Sequence, residues 1–284
     1  MKPFAAFDLT TDKKNENANG VEFCCQRPSE ALSKAFEESS AQVDKTLDKS
    51  KLPLPLRILQ WVLGAAGILI FVGILKGLGG VESLDVAYKN AGFLFWICGG
   101  CLLGWAILKF LGSRQEKAVL ETEDSEQVLA RMEGLCKAVY AELGVPENAR
   151  ETDIFSFYYK EKDGNVKHVS KGTPFNYLNL VHHVYADEEN LYLANLDGKY
   201  VFPKSALKAI RTKQEHVAAA VWQKDTPHND GFYKQFKLRE DDYGCIHMKT
   251  YYILELEHDG ELWGIWFPCY ELPTFEVLTG LKAE

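Results

Sequence analysis

The sequence predicts an α+β membrane protein, in which a transmembrane helical hairpin precedes an antiparallel β domain that ends in a C-terminal helix. Three observations predict this class. Two long uncharged runs lie close together in the first half of the chain, charge is distributed unevenly, and the second half contains three Asp-Gly dipeptides between strand-like segments. Asp-Gly is a strong hairpin signal because its residues tolerate the positive φ of a tight turn.

The charge distribution separates the chain into three parts. The 284 residues include 32 basic and 40 acidic side chains, a net charge of −8. Residues 1–53 carry a net charge of −1, residues 54–112 carry +2 and residues 113–284 carry −9. Nucleic-acid binding depends on clustered Lys and Arg that neutralise phosphates. The acidic balance therefore predicts no nucleic-acid partner.

The two uncharged runs have the length of membrane spans. Ile58 to Leu75 contains 18 residues without a formal charge, and Asn90 to Leu108 contains 19. A bilayer core takes roughly 20 helical residues, and flanking Lys and Arg side chains reach the interface. We predict spans at about 57–77 and 90–110, within a membrane segment of residues 54–112. The alternative is a buried helical hairpin in a soluble core.

Flanking charges predict the orientation of this hairpin, because cytoplasmic flanks carry an excess of Lys and Arg. The inner ends of the two runs have only Lys76 and Lys89. The outer ends have seven cations: Lys45, Lys49, Lys51, Arg57, Lys109, Arg114 and Lys117. We therefore expect a multi-pass protein of the cell membrane with both its N- and C-termini in the cytoplasm.

Small residues in both runs have the spacing of helix-packing positions. Gly73 and Gly77 are four residues apart, as are Gly100 and Gly104. Such pairs allow two helix backbones to approach closely in lipid. The hairpin could pack on itself or on another copy, or the glycines could simply fill space, and the sequence leaves these alternatives open.

The segments on either side of the hairpin are predicted from their patterns. Residues 1–53 form a cytoplasmic arm with a short strand at 4–9 and an amphipathic helix at 28–48. Residues 113–150 form a linking helix, because apolar residues recur every three or four positions from 125 to 143. Residues 151–284 form the β domain, with a weak strand at 236–238 and a final helix at 273–278.

Two segments of the β domain carry a resemblance to a known family. They are Asp187 to Leu193 (DEENLYL) and, after a turn, Tyr200 to Leu207 (YVFPKSAL). Together with the two preceding spans and the final hairpin and helix, they make residues 54–284 resemble the bacterial YcxB-like membrane proteins. The resemblance implies a pleckstrin-homology-like (PH-like) cytoplasmic fold and a role as a membrane-tethered binding or regulatory module. It supplies no catalytic residue.

Candidate chemical groups are few. Cys98 and Cys101 form a Cys-x-x-Cys inside the second run, where a thiolate is disfavoured and small packing residues are expected. Strand alternation predicts that only one of His182 and His183 faces the core. Cys245 and His247 share a strand face, as a nucleophile and base or half a metal site would. We expect no catalytic residue, no metal site and no cofactor.

The first predicted hairpin of the β domain carries the candidate ligand-binding residues. PH domains hold phosphoinositides with basic residues near this hairpin, and the corresponding lysines are Lys160, Lys162, Lys167 and Lys171. A solvated hairpin is the alternative, because the domain is strongly acidic.

The expected function is that of a non-enzymatic, membrane-anchored binding or regulatory module with an unknown ligand. One alternative is a structural or accessory subunit of a membrane complex, and a second is a thiol- or metal-dependent enzyme that uses Cys245 and His247. The expected partners are the lipid bilayer and, through the spans, a protein or a second copy of the chain.

Overall fold

A computed structural model of the chain describes residues 1–9, 20–78, 84–169, 175–221, 230–241 and 243–284. These residues form two compact units. The β unit consists of Met1–Glu30 and Lys137–Glu284, and the helical unit consists of Ala31–Cys136. The architecture is mixed α+β, with two long apolar helices and mostly antiparallel sheets.

Four helices account for the helical unit. They are α1 (Glu30–Ser50), α2 (Leu54–Leu78), α3 (Leu84–Leu120) and α4 (Glu123–Glu142). The predicted runs at 57–77 and 90–110 are confirmed as helices, and both helices extend beyond the predicted runs at both ends. Within them, Leu54–Lys76 and Gly92–Val119 are long and apolar enough to cross a membrane, as judged by length and composition.

A side chain of α3 fixes the end of α1 beside the start of α2. The Gln115 Nε2 atom donates hydrogen bonds to the carbonyl oxygens of Lys49 and Lys51, each at 3.1 Å. These carbonyls belong to the C-terminal turn of α1 and the residue after it, where no further helical N–H can reach them. Leu52 packs against Gly112, where an added Cβ atom would lie 3.2 Å from the Leu52 side chain.

Strands dominate the β unit. They are β1 (Lys2–Pro3), β2 (Ala6–Asp8), β3 (Cys24–Gln26), β4 (Arg150–Lys162), β5 (Asn165–His168), β6 (Tyr177–Ala186), β7 (Asn190–Asn195), β8 (Gly198–Pro203), β9 (Leu207–Lys213), β10 (Val217–Val221), β11 (Cys245–Met248), β12 (Tyr251–His258) and β13 (Glu261–Pro268). Two helices complete the unit, α5 (Asp230–Gln235) and α6 (Leu272–Thr279).

The strands form two sheets. One has the order β1-β13-β12-β9, and the other has the order β11-β10-β6-β7-β8-β3. The long strand β4 pairs with the second sheet through β6, and β4 also pairs with β5 and β2. Among the strands of the described residues, three pairings are parallel, namely β1 with β13, β2 with β4, and β6 with β10. The wholly antiparallel domain that the sequence predicts is therefore only an approximation.

The first 30 residues belong to the β unit, whereas the sequence predicts that residues 1–53 form a separate arm. Strands β1, β2 and β3 pair with β13, β4 and β8. Phe4 is buried in the core, with its ring centroid 5.2 Å from that of Tyr200 and 5.3 Å from that of Phe202. The predicted strand at 4–9 is broken, because Ala5 lies between β1 and β2 with a φ of 30°. Each strand is too short to be recognised without its partner.

The chain leaves and re-enters the β unit at adjacent points. The Ser29 N–H and hydroxyl groups donate hydrogen bonds to the Glu142 carboxylate at 2.5 and 3.0 Å. The Gln26 Nε2 atom donates to the Glu142 carbonyl oxygen at 2.7 Å. The helical unit is therefore an insertion in the β unit, with its two connections held side by side.

Two of the three Asp-Gly turns have the predicted geometry. Asp163-Gly164 and Asp259-Gly260 all have positive φ, as tight hairpins between antiparallel strands require. In the third, Gly198 is already a strand residue paired with Asn195. A Cβ atom at Gly198 would lie 2.9 Å from the Gln26 carbonyl oxygen, so this glycine permits the close approach of β3.

The C-terminal helix closes one core. Phe275 of α6 is fully buried and stacks on Phe267 of β13, with ring centroids 4.0 Å apart. Gly280 ends α6 with a φ of 76°, as a glycine after a helix commonly does. The predicted strand at 236–238 is wrong. These residues follow α5 in a turn, in which Lys237 has a φ of 58°.

Candidate functional site

A buried polar network lies inside the β unit. The Tyr270 hydroxyl donates a hydrogen bond to Asp153 Oδ2 at 2.6 Å and accepts one from Asn179 Nδ2 at 3.0 Å. The Asp153 backbone N–H donates to Glu271 Oε1 at 3.0 Å. Asp153, Asn179, Tyr270 and Glu271 are all at least 95% buried. The network therefore holds two carboxyl groups beside a core of aromatic and aliphatic side chains.

Three separate segments build this network. Asp153 lies on β4, Asn179 lies on the neighbouring strand β6, and Tyr270 and Glu271 lie in the 3₁₀ turn that precedes α6. The turn follows β13 directly and brings both residues against the sheet. Buried polar groups are stable only when they are hydrogen-bonded, so the network fixes the start of α6 relative to β4.

A surface pocket of about 680 Å³ opens beside the network. Its lining combines aromatic with charged side chains. The lining residues include Arg150, Glu151, Phe232, Phe236, Tyr270 and Glu271. Phe232 of α5 packs edge-to-face on Tyr270, with ring centroids 5.5 Å apart. The pocket is thus lined by aromatic rings together with Arg150, Glu151 and Glu271.

The phenols at the network remain protonated. Burial raises the pKa of Tyr270 well above its usual range, and the Asp153 charge adds to the effect. Burial and the same charge also raise the pKa of Tyr233. Tyr270 is therefore a hydrogen-bond donor at every physiological pH, and its proton points at Asp153.

The histidine pair is divided as the strand alternation predicts. His182 is fully buried, whereas His183 is half-buried and lies 3.7 Å from the Glu151 carboxylate. The His182 Nδ1 atom contacts the Leu180 carbonyl oxygen at 3.1 Å, and Nε2 contacts Asn195 Nδ2 at 3.3 Å. These partners match a neutral ring that carries its proton on Nδ1. Burial lowers the pKa of His182 to about 4.

Cys245 and His247 are not brought together as a nucleophile and base. His247 Nε2 lies 2.7 Å from Asp241 Oδ2, and Nδ1 lies 3.3 Å from His216 Nε2, so both ring nitrogens contact other residues. Cys245 is fully buried, and burial together with the Asp241 charge raises the pKa of its thiol. A reactive thiol needs a lowered pKa. Asp241 instead organises this edge by accepting the backbone N–H groups of Tyr243 and Cys245.

The candidate lysines of the first hairpin lie on its exposed surface. Lys160 and Lys167 are directly opposite each other on β4 and β5, and Lys162 lies two residues further along β4. All three therefore project from one face of the hairpin, and all three are exposed. Lys171 lies outside the described residues.

The predicted glycine positions differ in their surroundings. At Gly104 an added Cβ atom would lie 3.0 Å from Leu63, but at Gly73 and Gly100 it would meet nothing within 4 Å. For Gly77 the structure describes the backbone alone. Two other glycines lie close to the neighbouring helix: an added Cβ atom would lie 2.9 Å from Trp105 at Gly64 and 2.8 Å from Leu102 at Gly67. Cys98 also donates to the Gly67 carbonyl oxygen at 3.4 Å, so Cys98 is a packing residue of this helix pair.

All seven cysteines are free. In the part of the chain that the structure describes, no three His, Cys, Asp or Glu side chains are grouped to hold a metal ion. Comparisons of the chain with protein-family models, with curated proteins and with solved structures find no match.

Sequence reasoning missed the polar network and its pocket. Tyr270 and Asp153 are 117 positions apart, and no local motif connects them. The available signal was an acidic residue, Asp153, directly before the aromatic-rich run from Ile154 to Tyr159.

The buried His182 predicts a pH-dependent stability. The pKa of His182 falls from 6.5 to about 4 on folding. Between pH 6.5 and pH 4, His182 is therefore protonated in the unfolded chain but remains neutral in the folded chain. We expect the free energy of unfolding to fall by on the order of 3 kcal/mol between pH 7 and pH 4 from this group alone. Denaturant titrations of the full chain in detergent measure this change.

The matched variants are His182→Leu and His183→Leu. The first should flatten the pH dependence over this range, whatever its effect on stability at pH 7. The second should change the slope less, because His183 is only half-buried. Equal slopes in wild type and His182→Leu would contradict the assignment.

Proposed function

We propose that the chain is a non-enzymatic, membrane-anchored binding module. In this proposal α2 and α3 span the bilayer, both termini are cytoplasmic, and the β unit binds a ligand in the pocket beside Tyr270. The order of two spans followed by a β unit with a C-terminal helix is also what the YcxB-like resemblance implies, and membership of that family is part of the proposal.

The exposed apolar surface of α2 and α3 is the observation that carries the proposal. Only 6% of the residues in the most apolar 18-residue segment of each helix are buried. Trp61 is 79% exposed and Trp96 is 75% exposed, and exposed Leu, Ile, Val and Phe side chains accompany them on both helices. An apolar patch of this extent is unusual on a soluble protein and typical of a surface that contacts lipid. A helix also satisfies its own backbone hydrogen bonds, as a bilayer requires.

Cations near the end of α3 support the cytoplasmic orientation. Lys109 Nζ lies 5.2 Å from the ring centroid of Trp105, and the Arg114 guanidinium lies 5.5 Å from the ring of Phe110. Aromatic rings and long basic side chains of this kind are enriched at membrane interfaces. The excess of Lys and Arg at the outer ends of both helices favours the cytoplasm for that side.

The pocket supports a binding role and suggests the kind of ligand. The charged residues of its lining are Glu151 and Glu271, against Arg150. An aromatic wall beside carboxylates favours a ligand with an apolar body and a cationic group, because aromatic faces and carboxylates both attract cations. Catalysis by Cys245 receives no support, since the thiol is buried and its pKa is raised.

A second candidate function, that of an accessory subunit in a membrane complex, is favoured by the outward-facing glycines. Gly73, Gly99 and Gly100 leave open space beside α2 and α3. Small residues on a lipid-facing surface allow another helix to approach. This role is compatible with ligand binding by the β unit.

The topology is tested by thiol labelling of the full chain in intact cells. We expect the chain to stay in the membrane fraction after alkaline washing. In a Ser83→Cys variant, we expect a membrane-impermeant maleimide to label the new thiol in intact cells. Cys25 is exposed in the β unit and should be labelled only after lysis. Wild type is the control for the new thiol. Extraction of the chain from the membrane by alkali would contradict the proposal. So would labelling of Cys25 in intact cells at the same rate as the thiol of the Ser83→Cys variant.

Ligand binding is tested with a series of arylalkylamines and their isosteric neutral alcohols. We expect the amines to raise the melting temperature of the full chain in detergent more than the alcohols do, because the pocket offers carboxylates as well as aromatic rings. Phe236→Ala should abolish this difference. Phe7→Ala, which removes a half-buried ring elsewhere in the β unit, should retain it. Equal effects of amines and alcohols on wild type would refute the assigned ligand class.

A further inference from the structure

A second cavity lies within the helical unit, between α1 and α4. It has a volume of about 510 Å³. Helix α1 contributes Gln42, Lys45, Thr46 and Lys49 to its lining. Helix α4 contributes Asp124, Gln127, Val128 and Arg131. We refer to this cavity as the α1/α4 groove.

The two sets of lining residues have the same helical spacing. Each set occupies positions i, i+3, i+4 and i+7, so each forms one stripe along its helix. Facing stripes of two neighbouring helices are normally apolar, because their contact buries them. In this groove only Val128 is apolar, so the pair of stripes leaves an open polar channel where a packed contact is expected.

Three of the polar residues are cations. Lys45, Lys49 and Arg131 are exposed, and none forms an ion pair with another residue in the described ranges. Asp124 is the single anion of the lining, so the lining carries a net charge of +2. Gln42, Thr46 and Gln127 add neutral hydrogen-bond donors. Cations and neutral donors in this combination suit the oxygens of a phosphate group.

The groove lies next to the ends of both apolar helices. Helix α1 ends at Ser50 and the apolar segment of α2 begins at Leu54, whereas the apolar segment of α3 ends at Val119 and α4 begins at Glu123. Gln115 ties the end of α1 to α3, which fixes this arrangement. If α2 and α3 span a bilayer, the groove begins at the level of the lipid headgroups.

We propose that the α1/α4 groove binds the phosphate of an anionic phospholipid headgroup. The inference rests on the proposed function, because it needs α2 and α3 in the bilayer. Arg131 presents a planar fork that can hold two phosphate oxygens, and Lys45 and Lys49 act as point charges. A lipid is favoured over a soluble phosphate compound because the groove adjoins the ends of α2 and α3, whose exposed apolar surface offers a place for acyl chains.

The experiment measures the binding of a fluorescent short-chain phosphatidylglycerol to the full chain in a neutral detergent. We expect saturable binding that short-chain phosphatidylcholine does not displace. Loss of one charge-assisted hydrogen bond to a phosphate lowers affinity by about ten-fold, so the variant K45Q/K49Q/R131Q should lose on the order of 100-fold or more. The charge-retaining variant K45R/K49R should bind within about two-fold of wild type, because both cations remain near the headgroup.

The control variant is K34Q/K51Q/K117Q. It removes three cations from the same unit that do not line the groove, so it should lose far less affinity than the groove variant. An equal loss would show general attraction to the basic unit and would overturn the proposal. Glycerol phosphate should displace the probe only at much higher concentrations than unlabelled phosphatidylglycerol does. Displacement at equal concentrations would also overturn the proposal, because the groove would then bind a soluble phosphate compound as well as a lipid.

Failure of the groove and failure of the membrane proposal give different results. A chain that resists alkaline extraction but binds no phosphatidylglycerol refutes the groove alone. A chain that alkali extracts refutes the anchoring on which the lipid assignment depends, even where the purified protein binds the probe.

Discussion

The apolar surface of α2 and α3 is the constraint on which the rest of the structure depends. Two helices that expose Leu, Ile, Phe and Trp over most of their length need a non-aqueous surrounding, because that surface is unfavourable in water. The two helices contact each other through Gly64 and Gly67, and this contact leaves most of their outer surface open. Lipid is the surrounding that we propose for it.

The insertion of the helical unit in the β unit fits the proposed membrane hairpin. A hairpin of two spans has both ends on one side of a bilayer. A folded unit on that side can therefore be joined to the residue before the first span and to the residue after the second. The hydrogen bonds from Ser29 and Gln26 to Glu142 hold the two connections together inside the β unit. The short strands β1, β2 and β3 then complete the unit with residues that precede the helices. The β unit is therefore assembled from both ends of the chain.

The elements with strong local signals could be predicted from the sequence. The two apolar helices, the amphipathic helix α4, the Asp163-Gly164 and Asp259-Gly260 hairpins and the helix around Phe275 all depend on neighbouring residues, and the structure contains each of them. The exclusion of one histidine from the core also follows from alternation along a single strand.

What could not be predicted depends on contacts between distant residues. Strands of two or three residues have no periodicity, so the pairing of Lys2 with Trp263 has no local signature. The hydrogen bond between Tyr270 and Asp153 needs the sheet to be formed first. Gly198 resembles a turn residue in the sequence, but the structural reason for a glycine at this position is the close approach of the Gln26 backbone. The α1/α4 groove likewise appears only when two helices, distant in sequence, bring their polar stripes together.

The central claim is that lipid covers α2 and α3, and tryptophan quenching by brominated lipids tests it most directly. Trp61, Trp96 and Trp105 lie on these helices, and three further tryptophans lie elsewhere in the chain. Reconstitution into vesicles with brominated acyl chains should quench a large part of the wild-type emission relative to unbrominated vesicles. A variant with Phe at positions 61, 96 and 105 should lose most of this difference. Equal wild-type emission from brominated and unbrominated vesicles would contradict the account.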